Sequence, residues 1–135
     1  MGVNWPDEHV AWQQVLEGDP DMSVPFDVHV FIFHTSEQLQ AACGDPLANG
    51  HSSTWTQPDS VNIGALVMLA KDELELSVVA HEAAHIALFH HRNILTGRIS
   101  ARRWLNDHPE HIAEMIGNLT AIIWYNLPDF TSEAS

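Results

Sequence analysis

His81-Glu82-Ala83-Ala84-His85 brings two imidazoles and a carboxylate into one short run of chain. Residues four apart on an α-helix differ by only about 40° in direction, so both rings project from one face. Two neutral imidazoles at that spacing can grip a single Zn²⁺. Glu82 projects beside such a metal, where it can take a proton from a water whose pKa zinc lowers towards ~7. The hydroxide so formed attacks a carbonyl that the metal has polarised. The chain has ten histidines, and at that frequency the pattern would arise by accident roughly 0.05 times. Its setting is also specific: Val78-Val79-Ala80 precede it and Ile86-Ala87-Leu88-Phe89 follow. Ionisable groups inside so apolar a helix demand partners. The plainer alternative is a helix whose histidines are only hydrogen-bonded or exposed.

A catalytic zinc site takes three protein ligands and keeps one position open. Further along the chain, Glu110-His111-Ile112-Ala113-Glu114 offers two carboxylates one turn apart on one face. One can bind the metal while the other accepts the N–H of a metal-bound imidazole and fixes its orientation. Asp107 and Glu110 also have the spacing of a capping box, a purely structural use of Glu110. His91 competes as third ligand, because it follows His85 by six residues. An unbroken helix would turn it about 240° away from His85, so that reading needs the helix to end near Phe89.

These motifs resemble the gluzincin metallopeptidases, particularly the small ImmA/IrrE-like domains, which follow H-E-x-x-H with a Glu-x-x-Ala pattern on a later helix. The resemblance covers residues 61–126. It implies His81, His85 and Glu110 as zinc ligands, Glu82 as general base and Glu114 as the partner that orients a liganding imidazole. It also implies that residues 61–69 form a substrate-binding edge strand able to hold an extended peptide by strand addition. Glu114 stands where the family more often has Asp, and Gly117 where it has Ala. Stabilisation of the tetrahedral intermediate needs a donor or cation near the carbonyl oxygen. His90, His91, Arg102, Arg103, His108, His111 and Tyr125 are the candidates, and the sequence does not choose among them.

The elements that must position these residues follow from local patterns. Residues 7–17 read as a short amphipathic helix, with Val10, Val15 and Leu16 apolar and Gly18 and Pro20 closing it. Residues 26–33 and 61–69 are rich in β-branched and apolar side chains and read as strands. Ser36 opens a short helix through Cys43, and Gly44 and Pro46 stop it. Residues 47–60 are dense in Gly, Asn, Ser, Thr and Pro, which indicates a loop with room for a short strand around 54–57. Asp72 and Glu75 form a capping-box pattern ahead of a helix over about 73–90. A last helix runs over about 108–126, opened by Asn106, Asp107 or His108 with Pro109 in its first turn and stopped by Pro128. The expected class is α+β: a small, mostly edge-exposed sheet packed on two long helices, minimal zincin-like, with a short N-terminal helix, all in one domain over 1–135.

Composition narrows the rest. Hydrophobic residues make up 45%, which is the globular range. The longest apolar run, 63–70, is strand-sized, and residues 1–8 lack the basic start and apolar stretch of a secretory signal. Cys43 is the only cysteine, which excludes an internal disulfide and a thiolate-rich zinc site and fits the cytoplasm. The formal charge of −13 argues against nucleic acid. All five basic residues (Lys71, Arg92, Arg98, Arg102, Arg103) lie between 71 and 103, where they offset nearby acids, cap helix ends or rim a cleft for an acidic partner. Trp5, Trp12, Trp55, Trp104 and Trp124 read as core or cleft wall. The leading expectation is a metallopeptidase with one Zn²⁺ and a peptide or protein substrate, such as a regulatory protein. The alternatives are a non-catalytic domain stapled by zinc and a metal-free interaction domain that retains the motif.

Overall fold

The computed structural model describes residues 5–56, 62–95, 103 and 109–130. Gln57, Val61, Arg98, Arg102, Trp104 and the helix-opening positions Asn106, Asp107 and His108 lie outside these residues. Four strands form one mixed sheet: β1 (Val10–Leu16), β2 (Asp27–Phe33), β3 (Gly50–Thr56) and β4 (Asn62–Ala70), in the order β1-β2-β4-β3. β2 and β4 run parallel, from Asp27 opposite Gly64 to Phe33 opposite Ala70, while β1 and β3 flank them antiparallel. The described residues also form the helices α1 (Ser36–Cys43), α2 (Leu76–Leu95) and α3 (Pro109–Asn126). The architecture is α+β, as expected. Among the described residues, no helix is long and apolar enough to cross a membrane.

Strand alternation divides the apolar side chains between two faces. Val28, Val30 and Ile32 of β2 and Ala65, Val67 and Leu69 of β4 enter the main core. There they meet Val79, Ala83, Ile86 and Ala87 of α2 and Met115, Leu119 and Ile123 of α3, spacings that make one stripe on each helix. The opposite face carries Phe33, Met68 and Ala70 under Leu39 of α1. Thr35 caps α1 reciprocally with Gln38, and Gly44 (φ 78°) ends it in the left-handed region.

Four expectations are corrected. Residues 7–17 are not a helix: a single 3-10 turn at Asp7–His9 leads into β1. Trp12 and Leu16 share a face at four-residue spacing in a helix or in a strand alike, and pairing with β2 decides between them. Residues 47–60 hold a full seven-residue strand, β3. Residues 61–69 are not at the edge, because β4 lies between β2 and β3, and β3 is the terminal strand. Finally, the Asp72 and Glu75 capping box does not form. Lys71–Glu73 is a 3-10 turn, Asp72 accepts from Ser36 Oγ (3.2 Å), and the Glu75 carbonyl accepts the first helical N–H groups of Val78 and Val79. α2 therefore starts later than expected and runs on to Leu95.

Candidate metal centre

α2 buries Val79, Ala83, Ile86 and Ala87, and this fixes which way the motif faces. His81 is exposed and His85 half-buried, side by side off the core stripe, while Glu82 is 5% exposed. The Nε2 atoms of His81 and His85 approach to 3.1 Å, with ring centroids 4.7 Å apart. Phe89, one turn on, stacks against His85 at 5.8 Å and 22° and holds that ring in place. Two zinc–nitrogen bonds of ~2.05 Å at a tetrahedral angle hold their nitrogens about 3.3 Å apart. The 3.1 Å separation of the His81 and His85 nitrogens is close to that spacing.

Glu82 points to the other side of the turn, against β3. Ser52 Oγ donates to its Oε1 at 2.8 Å, a buried contact between strand and helix. A cleft of about 620 Å³ opens between the two elements, with His81, Glu82 and His85 on one wall and Gly50, His51 and Ser52 on the other. Leu47 and Phe89 also line it.

No third ligand joins this pair among the described residues. Among the described residues, no group of three or more His, Cys, Asp or Glu side chains could hold a metal ion. Glu110 and Glu114 both lie exposed on α3. That helix turns Met115, Leu119 and Ile123 to the core, and the two carboxylates occupy other positions around it. His91 is also elsewhere. α2 continues unbroken to Leu95, so His91 is buried against α3, with Nδ1 2.7 Å from the Ala87 carbonyl and Nε2 2.8 Å from His111 Nδ1. Donation from Nδ1 to Ala87 makes His91 Nε2 an acceptor for His111 Nδ1–H.

The candidates for stabilising an oxyanion disperse. His90 and His91 are buried and His111 contacts His91, and none of these three lines the cleft. Burial, then His91 and His111, lowers the pKa of His90 to about 4. Burial lowers that of His91 as well. Tyr125 is 84% exposed near the end of α3, and Arg103 is exposed. Arg102 and His108 lie outside the described residues. Sequence reasoning missed Gly50, His51 and Ser52. The signal that would have found them is the Thr54-Trp55-Thr56 run, whose residue types favour a strand, extended back to Gly50. Comparison of the chain with family models, with curated proteins and with solved structures found no match.

Proposed function

We propose that the chain is a zinc-dependent metallopeptidase of gluzincin type, with His81 and His85 as metal ligands and Glu82 as general base. One observation carries this reading: a paired Nε2 donor set at 3.1 Å and a buried carboxylate line one cleft beside the terminal strand of the sheet. Zinc, when bound, supplies Lewis-acid polarisation of a peptide carbonyl and a lowered water pKa. The remaining work falls to the chain. His81 and His85 hold the donor geometry, and Phe89 restrains His85. Glu82 takes the proton of the attacking water and passes it to the leaving amine. β3 offers its backbone to an extended peptide, the role expected of residues 61–69. Glu110 remains the assignment for the third donor on its motif. The substrate class is a peptide or protein, with a regulatory protein suggested by resemblance alone. A lone free thiol at Cys43 suits the cytoplasm.

One observation favours a second reading. Among the described residues His81 and His85 pair without a third His, Cys, Asp or Glu beside them, which suits an interaction domain that retains the motif without a metal. Glu82→Gln separates the two. In a peptidase the variant keeps its zinc and loses turnover by about 10²- to 10⁴-fold. A non-catalytic domain shows no hydrolysis in either protein.

A further inference from the structure

Gly50 and Ser52 are two apart on β3, so both face α2 from the same side of the strand. Ser52 Oγ donates to Glu82 Oε1 at 2.8 Å, and both side chains are buried. Glu82 Oε2 lies against Gly50. A Cβ added there would stand 2.9 Å from Oε2, 3.1 Å from Glu82 Cγ and 3.1 Å from Val78 Cγ1. The two carboxylate oxygens therefore differ. One is held by a hydroxyl, and the other occupies room that exists because residue 50 has no side chain. A buried carboxylate needs such a donor, and one donor fixes the orientation of the group.

We propose that Ser52 and Gly50 are positioning residues for Glu82, with Ser52 anchoring Oε1 and the bare backbone of Gly50 leaving Oε2 as the proton-accepting oxygen in the cleft. This rests on the reading of Glu82 as general base. The O–H bond of the attacking water breaks as an O–H bond to Oε2 forms. The electron pair left on the water oxygen forms the bond to the carbonyl carbon as the carbonyl π pair moves onto its own oxygen, and that pair re-forms the C=O bond when the amine leaves. The proton then moves from Oε2 to the amine nitrogen as the C–N bond breaks.

The test uses the zinc-loaded full chain and the best-cleaved member of a mixed pool of quenched fluorescent peptides. Ser52→Ala lowers kcat by about 10- to 100-fold at unchanged KM and zinc content. Ser52→Thr, which keeps the hydroxyl, recovers most of it. Gly50→Ala, whose Cβ would stand 2.9 Å from Oε2, displaces that oxygen and lowers kcat by at least as much, with a cooperative denaturant transition checking that the variant folds. A second readout needs no activity. In metal-free protein, Ser52→Ala lowers the denaturant midpoint, and it lowers it less in a Glu82→Ala background. An active wild type and an inactive Glu82→Gln, combined with an unchanged kcat in Ser52→Ala or an equal midpoint shift in both backgrounds, overturn the positioning role alone. No cleavage by the wild type, or full activity in Glu82→Gln, instead removes the peptidase reading and the proposal with it.

Discussion

His81 Nε2 and His85 Nε2 face each other across one turn of α2 at 3.1 Å. Without a cation, one nitrogen must carry a hydrogen for this approach to be favourable. Were His81 and His85 to hold a metal, both Nε2 lone pairs would be used and the ring hydrogens would sit on Nδ1. We expect one zinc per chain at neutral pH, measured by metal analysis after dialysis. His81→Ala and His85→Ala should each weaken binding by at least ~100-fold in chelator competition, since each removes a ligand rather than a supporting group. Zinc at a hundred times its dissociation constant should also stabilise the fold by about 2.7 kcal/mol. A chain with no zinc and no such shift would leave the motif without its chemistry.

The third donor is a separate question. If Glu110 completes the site, Glu110→Ala lowers zinc affinity more than Glu114→Ala, whose effect stays within the ~10- to 100-fold typical of groups that only orient a ligand. The reverse order would make Glu114 the ligand. Equal affinity in wild type and both variants means that neither carboxylate is a ligand, as the exposed positions on α3 suggest when taken alone.

The contrast between α2 and β3 explains what could be read in advance. His81, Glu82 and His85 are legible because a helix brings residues four apart together by local geometry. β2, β4 and α1 announce themselves by composition and capping. Ser52, by contrast, reaches Glu82 only because β3 pairs with β4 over the register from Gly50 opposite Leu69 to Thr56 opposite Asn62. No local pattern encodes that pairing, and a Gly- and Ser-rich run looks like loop until a neighbour supplies its hydrogen bonds. β1 failed for a related reason: its apolar spacing suits two structures, and the β2 contact chooses. That β3 and not β4 lies at the edge is likewise a tertiary property, set by strand order.

Gly18 ends a strand rather than a helix, and its place yields a stability prediction. It follows β1, its N–H donates to Asp27 Oδ1 at 2.9 Å, and a Cβ would lie 2.6 Å from the Phe26 carbonyl oxygen. The obstacle is backbone, which cannot swing aside. Gly18→Ala should therefore destabilise the fold by about 1–3 kcal/mol, seen as a lower urea midpoint at unchanged slope. An unchanged midpoint would mean that the turn between β1 and β2 relaxes freely.

Acid should loosen the contact between α2 and α3. His90 is buried, its ring 5.0 Å from that of Phe26, and its Nδ1 has no hydrogen-bond partner among the described residues. Burial, then the nearness of His91 and His111, takes its pKa from 6.5 to about 4. His91 is shifted the same way by burial and by His111, against the bond to the Ala87 carbonyl. A folded-state pKa below the unfolded value means that the unfolded chain binds more protons, so stability rises with pH. The full contribution is present above about pH 6.5 and is lost as the pH falls towards 4. For His90 the loss amounts to about 2 kcal/mol by pH 5. Denaturant midpoints of metal-free protein at pH 7.5 and pH 5 measure it without interference from zinc release at His81 and His85. His90→Phe should reduce the difference between the two pH values by about that amount, and taking the difference cancels any packing cost of the substitution. A variant as acid-sensitive as the wild type would put the acid response outside His90, with His91 and its bond to His111 next in line.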